Sequence, residues 1–175
     1  MKRIGWLASF ALAAALVACS SISTNADYNP ATDFSKYQTF GWHETNSIKD
    51  QIWHDRIRSA ITAELQRKGL RLDESNPQLW VAAHTRLDEQ TQINTYNTGW
   101  GYGWGWYGGM GMQTSTVQQI PVGTLIVDLV DANQKELVWR GTATKTLDPG
   151  SSPEEKQKHL DEAVQKMFGN YPPKK

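Results

Sequence analysis

Cysteine is nearly missing from this 175-residue chain. Cys19 is the only one, so no intrachain disulfide forms and no zinc site is built from thiolates. Net charge is also missing: 18 basic side chains balance 18 acidic ones. A nucleic-acid-binding domain needs a concentrated basic face, and this balance offers none. The four histidines, His43, His54, His84 and His159, are scattered with no i, i+4 pair. A metal site from His54 and His84 is therefore weakly supported, and neither metal nor cofactor is expected. G-x-S-x-G, P-loop and dinucleotide glycine patterns are all missing, so no catalytic constellation emerges and a non-enzymatic role is expected. No apolar run reaches the ~20 residues that a membrane-spanning helix needs.

What is present begins with an address. Met1-Lys2-Arg3 is basic, and 4–16 is almost wholly apolar, with the proportions of a signal-peptide h-region. It runs into Leu16-Val17-Ala18-Cys19, which resembles the lipobox of bacterial lipoproteins. That resemblance implies cleavage before Cys19 by signal peptidase II. Cys19 would then carry a diacylglyceryl thioether and an N-acyl chain such as palmitate. Several acyl chains on one residue give stable anchoring where one is marginal. Ser20, not Asp, follows the cysteine, and the resemblance then implies the outer membrane, periplasm-facing, with the inner membrane as the lesser alternative. The mature chain carries a charge of about −2, so the anchor alone must hold it to anionic lipid.

The expected organisation is a signal peptide over 1–18, a lipidated Cys19 with a small polar tether over 19–26, and one domain over 27–173. Its centre is 123–146, two β-prone runs (125–130 and 136–144) around the turn Asp131-Ala132-Asn133-Gln134-Lys135, which reads as a hairpin. Leu125, Val127 and Leu129 share one face; Ile126, Asp128 and Val130 share the other. Asp128 and Arg140 fall on opposing strands and read as a cross-strand ion pair. A strand is expected over 37–42. A helix follows over 48–68, with Ser47 as N-cap, Gly69 at C′, and Arg56, Arg58, Glu64 and Arg67 mostly on a solvated face. A long alternating strand covers 79–96. A separate strand over 114–120 is closed by Pro121. Ser152-Pro153-Glu154-Glu155 is a capping box opening an amphipathic helix to 168. These elements predict an α+β two-layer sandwich, a mainly antiparallel β-sheet with two helices packed on one face.

One stretch is of low complexity. Residues 99–112 read GWGYGWGWYGGMGM, with glycine alternating against Trp100, Tyr102, Trp104 and Trp106 and with Tyr107 following. These five aromatics are the candidate binding residues. Three readings stand: a loop packing loosely on its own sheet, a tip contacting the membrane interface that Trp and Tyr favour, or a platform stacking on glycan or gripping an apolar partner. The stretch has no Lys or Arg, which argues against single-stranded nucleic acid.

The hairpin GTLIVDLVDANQKELVWRGTA, with the Cys19 motif, the early strand at 37–42 and the closing Tyr171-Pro172-Pro173, resembles the bacterial lipoprotein family known as domain of unknown function 4136. The resemblance covers most of 27–173. It implies a small α+β domain on a lipid anchor and brings no activity with it; the glycine–aromatic insert is variable in such proteins. The expected function is a lipid-anchored envelope protein acting as a non-enzymatic interaction or structural module, its partners the membrane through Cys19 and an envelope protein or glycan. A glycan- or membrane-surface-binding module using the Gly/Trp/Tyr loop is the alternative, and an envelope hydrolase the lesser one.

Overall fold

Alternating apolar residues dictate where the sheet lies. A computed structural model describes residues 22–43, 48, 50–96 and 114–173. Six strands form one sheet: β1 (Ser23–Tyr28), β2 (Thr39–Trp42), β3 (Arg71–Leu72), β4 (Leu79–Tyr96), β5 (Thr114–Asp131) and β6 (Leu137–Thr146). Their spatial order is β1-β6-β5-β4-β2-β3. The pairs β1–β6, β6–β5 and β5–β4 are antiparallel, whereas β2 runs parallel to both β4 and β3. The parallel pairs follow from connectivity: helix α1 (Gln51–Arg67) carries the chain back across the sheet between β2 and β3.

One face of this sheet is apolar. Leu79, Val81 and Ala83 of β4, Leu125, Val127 and Leu129 of β5, and Trp139 and Ala143 of β6 are all buried there. The helices α1 and α2 (Pro153–Met167) cover it with Ile57, Ile61 and Leu65 from one and Leu160, Val164 and Met167 from the other. Trp139, 1% exposed, stacks on Phe168 with ring centroids 4.6 Å apart, and Tyr171 meets it edge-on at 5.6 Å. The two-layer α+β expectation therefore holds.

Several local expectations shift. Asp50, not Ser47, caps α1, its carboxylate accepting from the Ile52 and Trp53 N–H groups; Ser47 lies outside the described residues. A carboxylate at this position also complements the helix dipole. Glu64 is buried at 4% and held by Arg67 at 2.6 Å, so it is not part of the solvated face. The strand expected over 37–42 begins only at Thr39. Phe34–Lys36 forms a 3₁₀ turn, and Tyr37 ends it. Pro121 does not close a strand: β5 runs unbroken through it, and its carbonyl accepts from Leu147 N–H at 2.8 Å. Ser23–Tyr28, expected to be partly tether, is strand β1. Every residue of β1 is exposed, so backbone pairing with β6 defines it without an apolar signature. The capping box of α2 forms as expected, with Ser152 and Glu155 bonded reciprocally.

Candidate functional site

The register fixes which groups lie at which end of the sheet. Ser23 pairs with Thr144, Thr144 with Thr124, and Thr124 with Arg86. Strand β1 runs antiparallel to β4, so its first residue, Ser23, lies at the end toward which β4 continues past Arg86. From Arg86 to Tyr96 the β4–β5 hairpin runs ten residues further, about 33 Å at strand rise. The start of β1 and the projecting β4–β5 hairpin thus lie toward one end of the sheet. Both helices also begin near that end, since each follows a strand that runs toward it. Arg56 of α1 and Glu154 of α2 are close enough to interact there, and Arg56 helps lower the Glu154 carboxyl after the hydrogen bonds at the cap.

Leu87 shares the core face with Val81 and Ala83, yet it is 68% exposed. Opposite it stands Gly123, and Leu147 packs within 3.1 Å of where a Gly123 Cβ would sit.

Among the described residues, no helix lies on the opposite face of the sheet. Asp128 and Arg140, directly paired in the register, make a bidentate ion pair with both N–O distances 2.6 Å. Its charge-assisted bonds raise the Arg140 guanidinium further. The expected cross-strand pair is therefore present, and it joins two strands of the sheet. Trp80 lies half-buried on this face, with His43 edge-on to it at 6.2 Å.

At the far end, Asp131 closes the β5–β6 turn. Its carboxylate, 3% exposed, accepts from Asn133 and Gln134 N–H at 2.9 and 3.0 Å, from Lys36 Nζ at 2.9 Å and from Tyr37 OH at 2.8 Å. Burial works to raise its pKa, but the four donors outweigh it and hold the carboxyl well below the usual range. Burial, then the bond to Asp131, pushes the Tyr37 phenol up to about 12. Such a perturbed cluster marks some active sites. Here every carboxylate acceptor is occupied by the chain's own turn and 3₁₀ segment, so the cluster ties those parts together.

Of the histidines, His43 and His54 line one small recess with Trp42, Ile57 and Arg58. His84 is not among its lining residues. Arg58 in that recess bonds Glu74 at 2.8 Å and lies over the Trp42 ring at 5.2 Å. Among the described residues no group of three or more His, Cys, Asp or Glu is placed to hold a metal. No described helix is long and apolar enough to cross a membrane. The candidate residues Cys19, Trp100, Tyr102, Trp104, Trp106 and Tyr107 all lie outside the described residues. Periodicity could not have found the Lys36–Tyr37–Asp131 cluster, because its partners are more than ninety positions apart.

A mixed six-stranded sheet, helices on one face and a long projecting hairpin define a small α+β sandwich domain. The family model described as a domain of unknown function, DUF4136, matches residues 24–173, and the chain belongs to that family. No curated protein sequence matches it. Among solved structures it is similar to a PDZ domain protein from Parabacteroides distasonis, with 15% identity and a TM-score of 0.59. That match covers 87% of this chain and 36% of the other, so the chain spans about a third of that protein's length. It is also similar to PelC from Paraburkholderia phytofirmans, solved as a dodecamer, with 13% identity and a TM-score of 0.52 over 88% of this chain and 99% of that one. At these identities the likenesses show the fold.

Proposed function

We propose that this chain is a lipid-anchored protein of the bacterial cell envelope, held on the periplasmic face of the outer membrane, acting as a non-enzymatic interaction or structural module. The observation that supports this is that β1 begins, and the β4–β5 hairpin projects, at one end of the sheet, with Cys19 four residues before β1. Strand β1 begins four residues after Cys19, so the acylated residue is at most about 14 Å from the folded domain. The ordered domain hangs directly beneath the bilayer, and its hairpin points toward the lipid.

Acylation tests the anchor. Cells fed a palmitate analogue should label the wild-type chain and leave Cys19→Ser unlabelled and soluble in the periplasm. Density-gradient separation should place the labelled protein with outer membranes. Processing insensitive to globomycin, with a soluble wild-type product, would sink the anchor.

A membrane-surface role for Trp100, Tyr102, Trp104 and Trp106 is favoured by the same geometry. The hairpin's ~33 Å reach exceeds the ~14 Å tether, so its tip meets the interface that these aromatics prefer. Brominated lipids should quench Trp fluorescence of the anchored protein, and less so after deletion of 99–112. Glycan fragments that quench instead would favour the glycan reading. PelC, of similar fold, is found as a dodecamer; assembly from several anchored copies is part of the structural role proposed here.

A further inference from the structure

The β4–β5 hairpin pairs continuously from Leu79↔Asp131 to Tyr96↔Thr114 without a register shift. Inside the domain the outer edge of β5 is covered by β6, and that of β4 is covered by β2 at its start. β2 pairs with β4 from Leu79 to Val81, and His43 N–H adds one more bond to the Val81 carbonyl. β6 pairs with β5 from Val122 to Val130, and Leu147 adds the last bond at Pro121. From Gln90↔Ile120 outward to Tyr96↔Thr114, seven rungs, no strand among the described residues pairs with either edge. A two-stranded ribbon standing alone in water is marginal.

Exposed strand edges are ordinarily blunted by charge, by proline or by a bulge. Over these seven rungs the ribbon has none of the three; Arg86, Asp88, Glu89 and Pro121 all lie nearer the domain. Residues 90–96 are QTQINTY and 114–120 are TSTVQQI, with no charged residue and no proline in either segment. Both segments are uncharged and rich in Thr, Ile, Val and Tyr, which is the composition that pairs further strands.

The occupant follows from direction. Copies anchored in one leaflet, which rests on the reading above, point their ribbons the same way. Antiparallel pairing of β4 with β4 would aim the two tips oppositely and is excluded. Parallel pairing of like edges keeps the tips together but needs two different contacts, β4 with β4 and β5 with β5, to use both edges of each ribbon. Pairing β4 of one copy with β5 of the next is antiparallel, keeps all tips on one side, and uses both edges of every ribbon. We propose that copies of this chain associate edge to edge in this way, β4 against the neighbour's β5, into a closed ring of three or more. The contact is heterologous, so closure removes every bare edge.

Width sets the shape. Each ribbon is two strands across, about 10 Å, whereas the six-stranded domain is nearly three times wider. The ring therefore tapers, with domains splayed at the broad end and the distal rungs in contact at the narrow end.

The test compares three full chains purified from membranes in mild detergent: wild type, a chain with 97–113 replaced by Asn-Gly, and a chain with 89–121 replaced by Asn-Gly. The last keeps the Asp88↔Val122 rung, and its thermal melt reports that the domain is folded. Native mass spectrometry reads copy number and the lipid mass on Cys19 together. The expected result is multimers of three or more for wild type and for the 97–113 replacement, and loss of all species above monomer for the folded 89–121 replacement. A monomeric wild type, dimers alone, or multimers that survive removal of 89–121 would overturn the proposal. Multimers lost with 97–113 alone would also overturn it, by moving the contact to the tip. Ribbon-dependent multimers on a chain whose Cys19 bears no lipid would uphold the pairing and refute the anchor.

Discussion

The Tyr37 hydroxyl donates to the Asp131 carboxylate at 2.8 Å, across 94 positions of sequence and out of contact with water. Lys36 binds the same oxygen, while the turn amides hold the other. Removing a carboxylate from such a set strands several donors. Asp131→Asn should cost about 2 kcal/mol and Tyr37→Phe about 1 kcal/mol. For a domain of this size that is a fall in Tm of about 4–8 °C and 2–4 °C, read by thermal unfolding.

The same cluster sets a pH dependence. The folded Asp131 carboxyl titrates below its unfolded value of about 4. Its contribution is fully present above that value and is lost as pH falls toward the folded pKa. Tyr37 has the opposite sign. Its phenol is raised to about 12, so its contribution is present below the unfolded pKa of about 10 and lost as pH climbs from 10 to 12. Urea unfolding of wild type and Asp131→Asn should differ most at pH 7 and converge below pH 4.

Gly141 allows β6 to pass beneath α2. A Cβ there would overlap the Trp139 ring and come within 2.5 Å of Met167 Cγ. Both neighbours are buried core side chains, so neither moves freely. Gly141→Ala should destabilise by about 1–3 kcal/mol, as overpacking does, despite the better strand propensity of alanine. Urea midpoints measure it.

The chain shows in its own letters those elements whose signal is local. The alternation of Leu79, Val81 and Ala83 marked β4 with both of its observed ends, and Ser152 with Glu155 marked the start of α2. Asp128 and Arg140 paired as their strand positions implied. What stayed hidden depends on distant partners. β1 is polar and exposed on every residue and exists because β6 offers it an edge. Pro121 reads as a stop, yet it lies where its missing N–H costs little and its carbonyl is used by Leu147. Glu64 looked like a surface charge because only the tertiary fold buries it beside Arg67. Of the candidate site, the sequence held the residue types but not their placement; the shared end appears only once β1 is registered through β6 and β5 to β4.

Capping contributes at the end of the sheet where β1 begins and the β4–β5 hairpin projects. Ser152 accepts from Glu155 N–H while Glu155 accepts from Ser152 N–H. Ser152→Ala should cost about 1 kcal/mol, and Asp50→Ala a similar amount at the start of α1. Helix content and urea midpoints of each variant check this.

Energy transfer to the bilayer tests the central claim most directly. Leu87 and Leu137 are both exposed, and they stand seven residues apart along β5, about 24 Å, toward opposite ends of the sheet. With the Cys19 thiol occupied by lipid, Leu87→Cys and Leu137→Cys each give one site for a donor dye. The acylated proteins are placed in vesicles carrying a headgroup acceptor. The account predicts strong transfer from position 87 and markedly weaker transfer from 137. Equal transfer, or stronger transfer from 137, would contradict an anchor and hairpin that leave together toward the membrane.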